Sequence, residues 1–231
     1  MHKKILGICA ALVALAAFAI APAMAAASPL LTDPDGTVLV GSKLTATGLN
    51  SSEFSSGFIT VKCNDYWMTG TVTSNTTGNV KGTIEKASFN NWNEAKTATE
   101  DCSSTLGATK VTIPALTNEV GGTQHWCIEA NGETIGEGSV APHACGGTGG
   151  VFTFVLDVTN FFGSHVICRY TRSTNIPIVY TVGTDVVSLK GEQEFKREET
   201  SSSSCSEVGK LKNMSFTLET DVSPFKPITI S

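Results

Sequence analysis

Two short segments of the sequence combine residue types that either bind metals or form disulfides. His125 stands two residues before Cys127, and His143 stands two residues before Cys145. Histidine nitrogens and cysteine thiolates in sets of four are typical of structural zinc sites, whereas two cysteines by themselves can form a disulfide. The sequence therefore raises two alternatives, a zinc centre or a disulfide flanked by two bystander histidines.

The residues between the two segments favour the disulfide. Turn residues, beginning with Asn131–Gly132, predict an antiparallel hairpin in which Cys127 lies opposite Cys145. In that register His125 and His143 are about 13 Å apart along the strands. Tetrahedral zinc needs all its donor atoms within ~2.0 to 2.3 Å of the ion, which such a hairpin does not supply. We therefore predict a disulfide and no metal here.

The N-terminal segment has the pattern of a cleaved signal peptide. Lys3 and Lys4 precede an apolar run at 5–20, and a small-x-small cleavage pattern ends at Ala25. The run is shorter than the ~20 residues that span a bilayer, which favours a cleaved signal over the alternative of an uncleaved anchor. No later stretch is long and apolar enough to span a bilayer, so we expect no transmembrane segment after cleavage. We predict a signal peptide at residues 1–25 and a single all-β secreted domain at 26–231, with a weak boundary near the glycines at 146–150.

Six of the seven cysteines lie after the predicted signal peptide. An even number of cysteines in an exported chain predicts disulfides. Segments close in sequence tend to lie close in space in an antiparallel fold, which favours sequential pairing. The predicted bridges are Cys63–Cys102, Cys127–Cys145 and Cys168–Cys205.

Alternation of apolar and polar residues is the dominant pattern of the mature chain, and it predicts half-buried strands. The clearest stretches are 59–63, 152–158, 214–218 and a pair of strands between 178 and 195. Residues 89–106 lack the alternation and are expected to form a loop held at Cys102. Short strands with polar turns and no helical period predict an all-β fold, an antiparallel β-sandwich or alternatively a closed or partly closed antiparallel barrel.

Charge and motifs limit the classes of function. Removing residues 1–25 leaves 14 Lys and Arg against 21 Asp and Glu, a formal net charge of −7. This acidity argues against nucleic acid or an anionic membrane surface as partner. His125, His143, His165 and several serines leave a hydrolase open, but no nucleophile-elbow motif is present. We predict no catalytic, cofactor-binding or metal-binding residue.

Three tryptophans are candidates for a ligand-binding surface. Trp67, Trp92 and Trp126 could stack on a carbohydrate or another ligand, although tryptophans in a chain of this size more often pack in the core. The sequence leaves both roles open.

Three segments resemble a group of exported actinobacterial proteins of unknown function. They are VICRY at 166–170, MSFTLETD at 214–221 and PITIS at 227–231. The resemblance spans most of the mature chain and implies a bacterial, exported, disulfide-bonded protein. It implies no activity and supplies no catalytic residue.

These observations favour a non-enzymatic secreted or cell-envelope protein with a structural or protein-binding role and an unknown protein or cell-envelope partner. The alternatives are a barrel that carries a small apolar ligand and an unrecognised extracellular hydrolase. A carrier requires an apolar cavity, a structural sandwich requires a filled core, and an enzyme requires a cleft with converging histidine, serine or acidic side chains.

Overall fold

A computed structural model describes residues 28–92, 99–116, 125–131, 136–221 and 223–230. The predicted signal peptide lies outside these ranges. The described residues form twenty strands and one short 3-10 helix, Pro114–Leu116, with no α-helix among them, which confirms the all-β class. None of these described residues belongs to a helix long and apolar enough to cross a membrane.

The strands are, in chain order, β1 (Leu31–Asp33), β2 (Gly36–Thr37), β3 (Lys43–Gly48), β4 (Ser52–Ser56), β5 (Ile59–Cys63), β6 (Asp65–Thr76), β7 (Asn79–Trp92), β8 (Thr99–Glu100), β9 (Cys102–Ser104), β10 (Ala108–Thr112), β11 (Trp126–Asn131), β12 (Glu137–Ala141), β13 (Phe152–Thr159), β14 (His165–Arg172), β15 (Ile176–Tyr180), β16 (Val186–Leu189), β17 (Gln193–Arg197), β18 (Val208–Lys212), β19 (Ser215–Thr220) and β20 (Thr229–Ile230).

Sixteen of these strands form two closed antiparallel barrels of eight strands each. The first barrel has the order β10-β13-β14-β17-β18-β4-β5-β9 and closes through the β9–β10 pairing. The second barrel has the order β11-β12-β15-β16-β19-β3-β6-β7 and closes through the β7–β11 pairing. The chain therefore has the closed antiparallel barrel architecture, which the sequence predicted as the alternative to a β-sandwich.

Successive hairpins enter the two barrels in turn. Hairpins β4–β5, β9–β10, β13–β14 and β17–β18 belong to the first barrel. The strands between them belong to the second barrel, apart from β8, which pairs with β7 outside it. Several strands of one barrel continue into a strand of the other after one to three residues, at 49–51, 64, 173–175, 190–192 and 213–214. The two barrels are therefore stacked end to end, and each depends on chain segments from the whole sequence.

Aromatic side chains fill the first barrel. Phe54 lies beside Phe154, Tyr170 and Phe195, and the ring centroids of Phe54–Phe154, Phe54–Tyr170, Phe54–Phe195 and Phe154–Phe195 are 5.1 to 6.0 Å apart. The close approach of these rings requires a glycine at 209, because a Cβ there would come 2.5 Å from Phe54 Cζ. All four rings are buried, so aromatic side chains occupy the interior of this barrel.

The outer end of the second barrel is covered by a small three-stranded sheet of β1, β2 and β20, here called the cap. Asn75, which is buried on β6, holds the cap in place. Its Oδ1 accepts a hydrogen bond from the Leu31 amide at 2.8 Å, and its Nδ2 donates to the carbonyls of Leu31 and Val38. One side chain thus joins the N-terminal end of the described chain to the barrel.

Two details of the predicted strands are wrong. Phe195 does not continue the strand of Leu189, because residues 190–192 cross into the first barrel, where Phe195 lies on β17. The segment 89–106 is not a single loop. It contains the end of β7, then β8 and β9, and its residues 93–98 lie outside the described ranges. These strands form because they pair with neighbouring strands, although apolar and polar residues do not alternate regularly in them.

Candidate ligand cavity

The interior of the second barrel is not filled. Its inward-facing side chains surround an apolar cavity of about 150 Å³. Seven apolar residues that line this cavity stay partly accessible although they face inward, namely Leu44, Ala46, Met68, Ile128, Ala130, Leu189 and Leu218. In the first barrel, by contrast, Phe152, Leu156 and Tyr170 are fully buried.

Small residues at inward positions create this space. Gly70 and Gly82 line the cavity without a side chain, and Ala46 and Ala130 contribute one methyl group each. Gly82 lies opposite Ile128 on the neighbouring strand, and a Cβ on Gly82 would lie 3.4 Å from Ile128 Cγ2, which is ordinary contact. The interior therefore has room that larger residues could occupy.

Each end of the cavity is closed by a different part of the fold. Phe154 and Leu211, from strands of the first barrel, lie at the junction of the barrels, and Leu31 and Ile230 of the cap lie at the outer end. Leu31 is directly opposite Ile230 in the cap sheet. A molecule inside the barrel would be enclosed between the aromatic core and the cap.

The cavity lining carries almost no polarity. Lys81 is part of the lining, but its Nζ lies 3.2 Å from Glu129 Oε2, and both side chains are partly exposed to solvent. Two lining residues have a buried polar atom without a hydrogen-bond partner, the indole nitrogen of Trp126 and the hydroxyl of Tyr180. These two groups can hydrogen-bond a polar atom of a ligand, but the lining offers no unpaired charge to offset the lost hydration of an ionised one, so it favours uncharged molecules.

All three disulfides are present in the predicted sequential pairing, Cys63–Cys102, Cys127–Cys145 and Cys168–Cys205. The predicted register around Cys127 is wrong, because Cys127 lies opposite Ala141 and, on its other side, Thr83. Strand β12 ends at Ala141, and Cys145 returns to its partner from the following turn. Three disulfides are typical of a protein that folds in an oxidising compartment.

The histidines do not converge on a site. His143 Nδ1 lies 3.0 Å from the carbonyl oxygen of Ala144, and His165 Nδ1 lies 2.7 Å from Asp157 Oδ1 in an exposed pair. Among the described residues no three His, Cys, Asp or Glu side chains are grouped as metal ligands. Within the same ranges no serine hydroxyl is hydrogen-bonded to a histidine ring.

Trp126 lies against the cavity, where it is buried, and the side chain of Trp92 lies outside the described part of the structure. Trp67 lies on β6 opposite Thr47 and is partly buried. The sequence predicted an apolar cavity only under the alternative of a barrel-like carrier, and it did not indicate which residues line it. The small inward-facing residues of β3, β6, β7 and β11 are the sequence feature that indicates the cavity. They indicate it only once those four strands are known to form one barrel.

Fold and site together define a protein of two stacked eight-stranded barrels, one filled and one with an apolar cavity. Comparison with protein-family models, curated proteins and solved structures finds no match for this chain.

Proposed function

We propose that this protein is an exported binding protein that carries a small, uncharged, apolar molecule inside its second barrel. The observation that carries the proposal is the apolar cavity of about 150 Å³ in a closed barrel whose neighbour is filled. Closed antiparallel barrels of eight strands are just wide enough to hold one small ligand when their inward residues are small. The three disulfides support a role outside the reducing cytoplasm.

The volume of the cavity sets the size of the ligand. An apolar protein cavity of about 150 Å³ accepts benzene, so a single ring or a compact branched chain is the expected size. The lining adds a preference for uncharged molecules, because its charged side chain, Lys81, is already paired with Glu129 and its two unpartnered polar groups are neutral. Toluene is therefore a suitable probe, and benzoate is the matched charged compound of similar shape.

A carrier accounts for the geometry better than the other two functions. A structural or protein-binding role does not require an unfilled interior, and vacant space in a core lowers stability. A hydrolase requires converging catalytic side chains, whereas the histidine contacts of the described residues are separate surface pairs. The carrier was an alternative at the level of the sequence, and the cavity makes it the preferred proposal.

The test is ligand-dependent stability. Toluene should raise the melting temperature progressively with its concentration, because it binds the folded state and not the unfolded state, and benzoate should not. Ala46→Leu should abolish the toluene shift, because the larger side chain occupies the cavity. Ala108→Leu is the matched control, because Ala108 is exposed on β10 of the first barrel, and it should retain the full shift.

Organic extraction of protein purified from its native source gives a second readout. A small apolar compound at a stoichiometric amount, detected by mass spectrometry, would support the proposal. Equal stabilisation by toluene and benzoate, or an unchanged toluene shift in Ala46→Leu, would contradict it.

A further inference from the structure

Three phenylalanines project into solvent at the end of the first barrel that is farthest from the cavity. Phe162 is 93% exposed, Phe161 is 85% exposed and Phe58 is 63% exposed. They are here called the phenylalanine tips. We propose that the phenylalanine tips insert into the surface of an electrically neutral lipid layer and dock the protein there. This inference goes beyond the proposed ligand binding and does not depend on it.

The three rings belong to hairpins that end at the same side of the barrel. Phe58 lies in the β4–β5 turn, and Phe161 and Phe162 lie in the β13–β14 turn. The β9–β10 turn connects these two places. Thr105 Oγ1 donates to the Phe58 carbonyl at 2.9 Å, and a Cβ on Gly107 would come 2.3 Å from the Thr159 carbonyl oxygen. The phenylalanine tips therefore lie on one continuous surface at this end of the first barrel.

This end lies opposite the cavity. Phe152 and Phe154, at the start of β13, pack against Trp126 of the second barrel, while the β13–β14 turn follows the other end of the same strand. The cap covers the outer end of the second barrel. The phenylalanine tips and the cap thus occupy the two opposite ends of the stacked barrels.

The turn that carries Phe161 and Phe162 is held in one conformation. Asn160 Oδ1 accepts hydrogen bonds from the amides of Phe162 and Ser164 at 2.9 and 3.0 Å, and the Asn160 carbonyl accepts one from the Gly163 amide at 2.9 Å. Gly163 has a φ of 78°, which favours glycine. The two rings are therefore presented without the entropy cost of ordering the turn on binding.

Charge points to a neutral lipid surface. The turns at 57–58, 105–107 and 160–164 contain no ionisable side chain. At the base of the last turn, Asp157 and His165 pair with each other. The β17–β18 connection at the same end carries Glu198, Glu199 and Glu207, and its Ser206 amide donates to Ser56 Oγ beside the Phe58 turn. The inserting rings themselves therefore bring no charge into the lipid, while these glutamates and the formal net charge of −5 disfavour an anionic surface.

The size and shape of the surface favour lipid over a protein partner. Three exposed phenylalanines supply about 500 Å² of apolar area, whereas a specific protein interface buries about 800 Å² on each partner. The rings also project from separate turns instead of lining a groove. A lipid layer deforms around projecting rings, but a folded protein would need a matching set of pockets.

The experiment measures binding of the full mature protein to phosphatidylcholine vesicles by co-sedimentation. The paired substitution Phe161→Ser with Phe162→Ser should lower the partition coefficient between lipid and water by at least about tenfold. Each phenylalanine ring that is buried in lipid raises this coefficient by about a factor of ten. Leu39→Ser with Val40→Ser is the matched control, because these neighbours are also exposed but lie beside the second barrel. It should bind as the unmodified protein does.

Salt and lipid charge separate insertion from electrostatic attachment. Binding should persist at high salt and should not increase when phosphatidylglycerol is added. Failure of the unmodified protein to bind, equal binding by both variants, or release by salt would overturn the proposal. Self-association that the tip variant loses, without vesicle binding, would also overturn it in favour of a second copy of this chain. None of these readouts uses toluene, so failure here leaves the cavity proposal standing.

Discussion

Trp126 of the second barrel packs edge-on against Phe152 of the first barrel, with ring centroids 4.7 Å apart and ring planes at 76°. Both side chains are buried, and the indole also lines the ligand cavity. This pair is part of a continuous cluster of buried residues that includes both barrels. The two barrels are therefore coupled in packing as well as in chain connectivity.

Phe152→Ala should lower the free energy of unfolding by about 3 to 5 kcal/mol, because it removes a fully buried ring at the barrel junction. Urea unfolding should still show one transition by both fluorescence and circular dichroism, since hairpins of the two barrels alternate along the chain. Phe162→Ala, at an exposed position, should change stability by less than about 0.5 kcal/mol. Separate transitions for the two barrels would contradict the coupling.

Leucine truncation should cost less in the second barrel than in the first. Leu156→Ala removes a side chain that is fully buried in the filled interior and should cost about 3 to 5 kcal/mol. Leu218→Ala enlarges an existing cavity where the side chain is only partly buried, so its cost should be smaller by about 1 to 2 kcal/mol. Chemical unfolding of the two variants measures the difference. Equal costs would show that the second barrel is as well packed as the first.

Asn75→Ala should release the cap. The substitution removes three buried hydrogen bonds to backbone groups of Leu31 and Val38, and should cost about 2 to 3 kcal/mol. Hydrogen exchange followed by mass spectrometry should show faster exchange of the Leu31 amide. Ser74→Ala is the control, because Ser74 Oγ donates to the exposed Asn79 carbonyl within the β6–β7 hairpin and not to the cap, and it should leave exchange at Leu31 unchanged.

Stability should fall at alkaline pH. Burial raises the pKa of Tyr66 and of Tyr170 above the ordinary value of 10.0. Each hydroxyl keeps its proton to higher pH in the folded state than in the unfolded state. Their stabilising contribution is therefore complete below pH 10 and is lost as pH rises from 10 towards the folded pKa.

Urea unfolding at several pH values above 9 checks this expectation, and Tyr66→Phe supplies the comparison. The variant loses the proton that the Tyr66 hydroxyl shares between Asn50 Oδ1 and the Ser215 carbonyl, and the acceptor for the Ser215 amide, so it should be less stable at neutral pH. Its alkaline slope should nevertheless be shallower than that of the unmodified protein. An identical slope would contradict the assigned role of Tyr66.

Replacing Cys127 and Cys145 together by alanine should cost about 3 kcal/mol, an upper value from the entropy of closing the loop between them. The three cystine loops do not overlap in sequence, so Cys63–Cys102 and Cys168–Cys205 should still form. Thermal unfolding measures the cost, and peptide mapping without reductant identifies the remaining bridges. A peptide that links Cys63 to Cys168 in the variant would contradict the independence of the bridges.

Where apolar and polar residues alternate clearly, this local pattern determined that the segment becomes a strand and which residues it buries. Ile59, Val61 and Cys63 alternate with polar residues and are all buried on β5, and Phe152 to Val158 follow the same rule on β13. The even number of cysteines and their order along the chain were enough to predict the disulfide pairing. These properties depend on neighbours within a few residues or on the order of segments, so the sequence contains them directly.

Tertiary structure alone decided which barrel each strand enters and whether that barrel is filled. Phe195 and Leu189 are close in sequence and both apolar, yet they line different barrels because the chain crosses the junction between them. Ala46, Gly70, Gly82 and Ala130 come from four strands, and together they leave space only because those strands close into one barrel. A period-two pattern states that one face of a strand is buried, but the volume behind that face depends on side chains from all eight strands.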